Sequence, residues 1–183
     1  TLCNIIAGQV PADSGDIRLH DLPYRPNSVS DAEGLGIRMV TQELRSVDTL
    51  SVAENISLAE FPHKAGFIDY KIINQNARDL LSRFGLSSLD PRQQLKNLGM
   101  GQKQLVEIAR ILNHQCDLLI LDEPTAALGQ EEVQLLFMEI EQLKSRGVAI
   151  IYISHRMDEI SQIADRSIVL RDGRVVASDL SKK

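Results

Sequence analysis

The chain has 183 residues, 43% of them apolar and 25% charged, which is about one domain with an ordinary buried core. Twenty Lys and Arg against twenty-five Asp and Glu leave a formal net charge of −5, and aromatic residues reach only 4% with no Trp; both argue against a nucleic-acid-coating surface. No apolar run approaches the roughly 20 residues that cross a bilayer. Two cysteines, Cys3 and Cys116, are too few for a disulfide scaffold and fit a reducing compartment.

In chain order, residues 1–8 read as the interior and end of a helix with Gly8 as its stop, and a helix opening without a cap suggests a missing start. A turn-rich stretch leads to a short strand at 16–20, a turn near Asp21 and Pro23, and a second strand at 36–41 running into Gln42. Ser51 and Glu54 have capping-box spacing, and Ile73, Ala77, Leu80, Leu81 and Phe84 stripe one helical face. Residues 43–98 therefore read as helical throughout, with no strand inside them. Leu105, Ile108, Ala109 and Leu112 predict a helix over 102–114. The apolar runs 118–121 and 148–153 predict strands buried on both faces, with a helix over 131–144 between them. A helix near 156–164 and a hairpin turning at Asp172 and Gly173 complete the pattern. Strands alternating with helices predict an α/β fold with a mostly parallel sheet.

The strand end Asp122-Glu123-Pro124-Thr125 places two acids at the carboxyl edge of the predicted sheet, where open α/β folds bind ligands. One carboxylate beside Mg²⁺ and one beside an attacking water is what nucleotide hydrolysis requires. Solvated acids at a turn are the ordinary alternative. Ser154-His155 ends the next strand, so His155 falls on the same edge if the strands are neighbours. A lone histidine there is more often an exposed ring behind a helix-capping serine, and pairing it with Glu159 at i+4 as metal ligands lacks a third ligand. Leu98-Gly99-Met100-Gly101-Gln102 precedes a core-striped helix, where free N–H groups attract phosphate, although taken alone it reads better as a plain glycine loop joining two helices.

In this order the pieces resemble the ATP-binding domain of ABC transporters, over nearly the whole chain. Gln42 resembles the Q-loop glutamine, Leu98–Gln102 the signature motif, Asp122 and Glu123 the end of Walker B, Thr125–Gly129 the D-loop, and His155 the switch histidine. The segments 106–110 and 151–159 are most similar to sugar importers of the ribose/galactose type, whose ATPase chains carry two such domains, this being the first. The resemblance implies a P-loop NTPase (RecA-like) core from 1–42 and 99–183 and a helical subdomain from 43–98. It implies ATP and Mg²⁺ as ligands, with Asp122 and Gln42 at the metal and Glu123, His155 and Gln42 in catalysis. Thr1 would touch the α-phosphate, and Gly99, Met100, Gly101 and Gln102 would face nucleotide held by a second, head-to-tail ATP-binding domain. Further implied partners are membrane-spanning permease subunits docking on 43–98 and, indirectly, a substrate-binding protein, at the cytoplasmic face of the membrane.

No Gly-Lys dipeptide occurs, so the phosphate-cradling P-loop and its preceding strands are expected to lie upstream of Thr1, and residues 1–183 alone are expected to be inactive. Gly99 stands where the signature serine is usual, and Gly129 replaces the D-loop aspartate. These departures motivate an alternative, a nucleotide-binding regulatory half with a weakened composite site. A soluble ABC ATPase of repair or translation would carry coiled-coil or basic insertions, which 43–98 lacks.

Overall fold

A computed structural model describes residues 2–41, 45–58, 60–64 and 66–178. The chain opens with α1 (Leu2–Ile6), a two-residue hairpin of β1 (Arg18–Leu19) and β2 (Leu22–Pro23), α2 (Val29–Gly34) and β3 (Ile37–Val40). Gly8 has φ +70, and a Cβ there would lie 2.3 Å from the Ser28 carbonyl oxygen, so the turn after α1 admits only glycine. Ser28 caps α2 by accepting from the Asp31 N–H.

Next come α3 (Val52–Ile56), β4 (His63–Lys64), β5 (Phe67–Ile68), α4 (Tyr70–Arg83), a single 3-10 turn at Leu95–Asn97 and α5 (Met100–Leu112). The expected capping box forms in full: Ser51 accepts from the Glu54 N–H, and the Glu54 carboxylate accepts from the Ser51 N–H at 2.8 Å. The expectation of no strand within 43–98 is corrected by the hairpin β4–β5, which pairs His63 with Ile68 and Lys64 with Phe67. Two residues per strand are too short to show alternation in the sequence.

The remainder alternates as predicted: β6 (Leu118–Asp122), α6 (Gln130–Ser145), β7 (Ala149–Ile153), α7 (Met157–Ile163), then β8 (Ile168–Arg171) and β9 (Arg174–Ser178). The last two form an antiparallel hairpin whose central residues Asp172 and Gly173 both have positive φ, the geometry that fits strand twist. The main sheet runs β3-β6-β7, all parallel.

Helices cover both sides of this sheet. Leu119 and Leu121 of β6 join a core with Val52, Ile56, Ile73, Leu80, Phe84, Leu105, Ile108 and Leu136. Ile120, pointing the other way, joins Ala7, Tyr24, Ala32 and Ile37, with Cys3 and Ile6 of α1 packed alongside. The Tyr24 hydroxyl donates to the Ile6 carbonyl at 2.6 Å, fixing α1 to this second layer. β6 is thus buried on both faces, as its apolar run predicts. β7 corrects the same expectation of burial on both faces: Ala149 is exposed and the rest of the strand half-buried, β7 lying at one edge of the sheet among the described residues. No helix of the described residues is long and apolar enough to cross a membrane.

Candidate active site

Register decides which acids meet which bases. β6 and β7 pair from Leu118↔Ala149 to Asp122↔Ile153, so both strands end at the same level. The Glu123 N–H continues the ladder to the Ile153 carbonyl at 3.0 Å, and Glu123 then turns at φ +47. A left-handed conformation is uncommon for a residue with a Cβ and concentrates at functional turns. Two residues beyond β7, His155 places Nδ1 3.1 Å from Glu123 Oε1. An ionised carboxylate only accepts, so Nδ1 carries the proton of that bond and Nε2 is left for another partner. The imidazole is 77% exposed, so the loop that carries it largely sets its position.

Asp122, the last residue of β6, is half-buried, and among the described residues no side chain donates a hydrogen bond to it. Its charge reaches the second layer: burial first, and then Asp122, push the Cys3 thiol of α1 above its ordinary value. Cys3 therefore lies within electrostatic reach of Asp122, a proximity that local sequence patterns do not reveal.

Glu159 does not pair with His155 around a metal. Its Oε1 accepts from Thr125 Oγ1 at 2.8 Å and forms an ion pair with Arg156 Nη1 at 2.8 Å, and its Oε2 accepts from the Tyr152 hydroxyl at 2.7 Å and Ser154 Oγ at 3.0 Å. Among the described residues no cluster of His, Cys, Asp and Glu is arranged to hold a metal. Nor is Ser154 the cap of α7; it accepts from the Arg156 N–H and belongs to this network.

The glycine loop forms a second, separate group. Gly99 is the N-cap of α5 in extended geometry, with no side chain satisfying the first-turn N–H groups, and Met100 is largely exposed beside it. Gly101 lies against Glu132 of α6: a Cβ there would come within 2.2 Å of Glu132 Oε2, which accepts from the Gly129 N–H at 2.7 Å. Gln102 is half-buried in the first turn. Among the described residues no hydrogen bond or ion pair joins this loop to Glu123 or His155. Thr1 and Gln42 lie outside the described residues.

Residues 47–51 are organised by a residue the sequence pattern gave no reason to notice. Asn55, fully buried in α3, accepts from the Val47 N–H at 2.8 Å and donates to the carbonyls of Val47 and Ser51. Lys103 of α5 reaches the same segment through Asp48 at 2.7 Å. A buried asparagine with backbone partners has no local signature, since its partners come from loop folding.

A family model described as ABC transporter matches residues 1–126. The putative ribose/galactose/methyl galactoside import ATP-binding protein 3 of Burkholderia cenocepacia (strain HI2424) is 45% identical over 179 residues, which is 98% of this chain and 35% of that protein. The chain therefore spans about a third of the length of this curated relative. Among solved structures, a nucleotide-free ATP-binding cassette from an ABC transporter superposes with a TM-score of 0.83 at 23% identity, covering 99% of this chain and 75% of that one. A dimeric cassette in a post-hydrolysis state, bound to ADP and Pi, superposes with a TM-score of 0.80 at 20% identity, covering 97% and 78%. These structural matches show the fold.

Proposed function

Since this chain belongs to the ABC transporter family, we propose that it is part of an ATP-hydrolysing subunit that powers an importer of monosaccharides. The observation that carries this reading is the meeting of Glu123 and His155 at 3.1 Å on the carboxyl edge of two parallel strands. Glu123 takes the proton of the water that attacks the γ-phosphate, and His155, held through Nδ1, presents Nε2 to a phosphate oxygen. Asp122 suits a hard divalent cation, being an oxygen donor at a strand end to which no described side chain donates. Asp122 and Gln42 would hold Mg²⁺, which when bound neutralises charge on the terminal phosphates.

The N–H groups at the start of α5, uncapped by any side chain, are disposed to receive the γ-phosphate of nucleotide on a second, head-to-tail domain. Gly99 supplies no hydroxyl there. Phe67, Ile68, Tyr70 and Ile72 are exposed within 43–98 and would offer apolar contact to permease subunits at the cytoplasmic face of the membrane. A substrate-binding protein would deliver the sugar; the name of the Burkholderia relative itself speaks only of ribose, galactose and methyl galactoside import. Residues 1–183 alone would bind ATP poorly, because they contain no Gly-Lys phosphate cradle.

The test is reconstitution of the full-length protein with its permease in liposomes, following ATP hydrolysis and the uptake of labelled ribose and galactose. Hydrolysis coupled to uptake of either sugar is the expected result. Absence of hydrolysis overturns the ATPase reading, and hydrolysis without uptake of any monosaccharide overturns the cargo.

A further inference from the structure

We propose that Glu159 is a positioning residue for the hydrolytic site, holding together the two loops that carry Glu123 and His155. The proposal rests on the ATPase reading above. Glu159 sits in the first turn of α7 and is only 2% exposed, and no hydrogen bond or ion pair among the described residues joins it to Glu123 or His155.

Its four partners come from both sides of the site. Thr125 lies two residues beyond Glu123, on the turn leaving β6. Tyr152 belongs to β7, and Ser154 and Arg156 flank His155 on either side. One carboxylate thus spans the gap between the turn after β6 and the turn after β7. Each oxygen has two partners, one of them from outside the α7 entry turn: Thr125 on Oε1 and Tyr152 on Oε2. The Tyr152 ring is itself held edge-on against Phe137 of α6, with centroids 6.2 Å apart. Burial, and then the bond to Glu159, raise the Tyr152 phenol well above its ordinary value, so it stays protonated and donates.

This network supplies what the catalytic pair lacks. The His155 ring is mostly exposed, and Glu123 turns through a left-handed conformation that its own side chain does not favour. Such a pair keeps its spacing only if the surrounding turns are fixed. A buried charge held by three hydrogen bonds and an ion pair specifies one arrangement of those turns, where an apolar side chain of similar volume would fill the space without orienting anything. The first turn of a helix also favours the negative charge.

The experiment compares E159A, E159Q, T125V and Y152F in the full-length protein, with the unfolding midpoint and the His155 ring ¹⁵N shifts measured beside kinetics. E159A is expected to lower kcat for ATP hydrolysis by about ten- to a hundred-fold, with KM changed less than about twofold, because misplacing reacting groups weakens chemistry and not binding. The His155 ring signals should move with it. E159Q should restore most of kcat, since its carbonyl oxygen can accept from Thr125 and Arg156 while its amide donates to the Tyr152 and Ser154 hydroxyls. T125V and Y152F each remove one donor with little change of shape. They should give smaller kcat losses, and they carry the test if E159A does not fold. Unchanged kcat in the folded variants, a change confined to KM, or a loss in E159Q equal to that in E159A overturns the proposal while leaving the ATPase reading intact. No hydrolysis by the unmodified protein overturns both.

Discussion

The Glu123 carboxylate and the His155 imidazole, 32 residues apart in the chain, stand 3.1 Å from one another because Asp122 and Ile153 are register partners at the ends of adjacent parallel strands. The bond occupies Nδ1 and one carboxylate oxygen, leaving Nε2 and the other oxygen for substrate and water. Replacing Glu123 by Gln in the full-length protein keeps the shape and removes the base. Turnover should fall by about a hundred-fold or more, within the range for loss of a general base, while nucleotide binding persists. Steady-state hydrolysis beside equilibrium binding of labelled ATP checks both halves.

The two glycines of the loop before α5 should respond oppositely to substitution. Gly99 has φ −66 and ψ 159, and nothing lies within 4 Å of a Cβ built there. Gly99→Ser is therefore free of strain and adds an N-cap acceptor, worth a few tenths of a kcal/mol over glycine. In the head-to-tail dimer proposed above, the same hydroxyl should raise turnover at the opposite site, within about tenfold for one charge-assisted bond. Gly101→Ala instead pushes the Glu132 carboxylate off the Gly129 N–H and should cost about 1 kcal/mol. Combined with Glu132→Ala the cost should be less than the sum, because the clash and the bond share one carboxylate. Urea unfolding of the four variants reads the cycle.

The capping box at α3 makes the protein's stability depend on acid. Hydrogen bonds from the Ser51 side chain and backbone hold the Glu54 carboxyl below its usual value, burial opposing them. A depressed folded value contributes stability that is complete above the unfolded value, about 4.3, and is lost as pH falls through the folded one. Ser51→Ala should cost about 1 kcal/mol at neutral pH. It should also flatten the decline of stability on the acid side. Denaturant midpoints collected from neutral to acid pH for both proteins measure the two effects.

Cys116 should be a poor nucleophile in the folded chain. Burial pushes its thiol up to about 11, the Arg38 charge opposing and the Asp117 charge assisting. At pH 8 its thiolate fraction is then about a thousandth, against about a quarter for an unfolded thiol near 8.5. Iodoacetamide should label Cys116 slowly in the native protein and quickly in urea, with the native rate rising as pH climbs toward the folded value. Mass spectrometry of the labelled peptide distinguishes it from Cys3, whose thiol is also raised by burial and Asp122.

Local pattern carried most of this molecule. The apolar run of β6, the helical stripes of α4, α5 and α6, the Ser51–Glu54 box and the Asp172–Gly173 turn are each set by a few neighbouring residues, and each forms where the sequence places it. The acids and the histidine were legible for the same reason: buried parallel strands end in one direction, so residues just beyond them share an edge. Tertiary structure alone decided the rest. The sequence offered Glu159 only as a doubtful metal partner of His155. Folding turned it toward Thr125, 34 positions away, because strand register, not helical spacing, brought that hydroxyl within reach. The half exposure of β7, the extended geometry of Gly99 and the approach of Gly101 to Glu132 were likewise set by which elements became neighbours. Side chains many residues apart meet only after the sheet has ordered them, and no periodicity within either segment encodes that meeting.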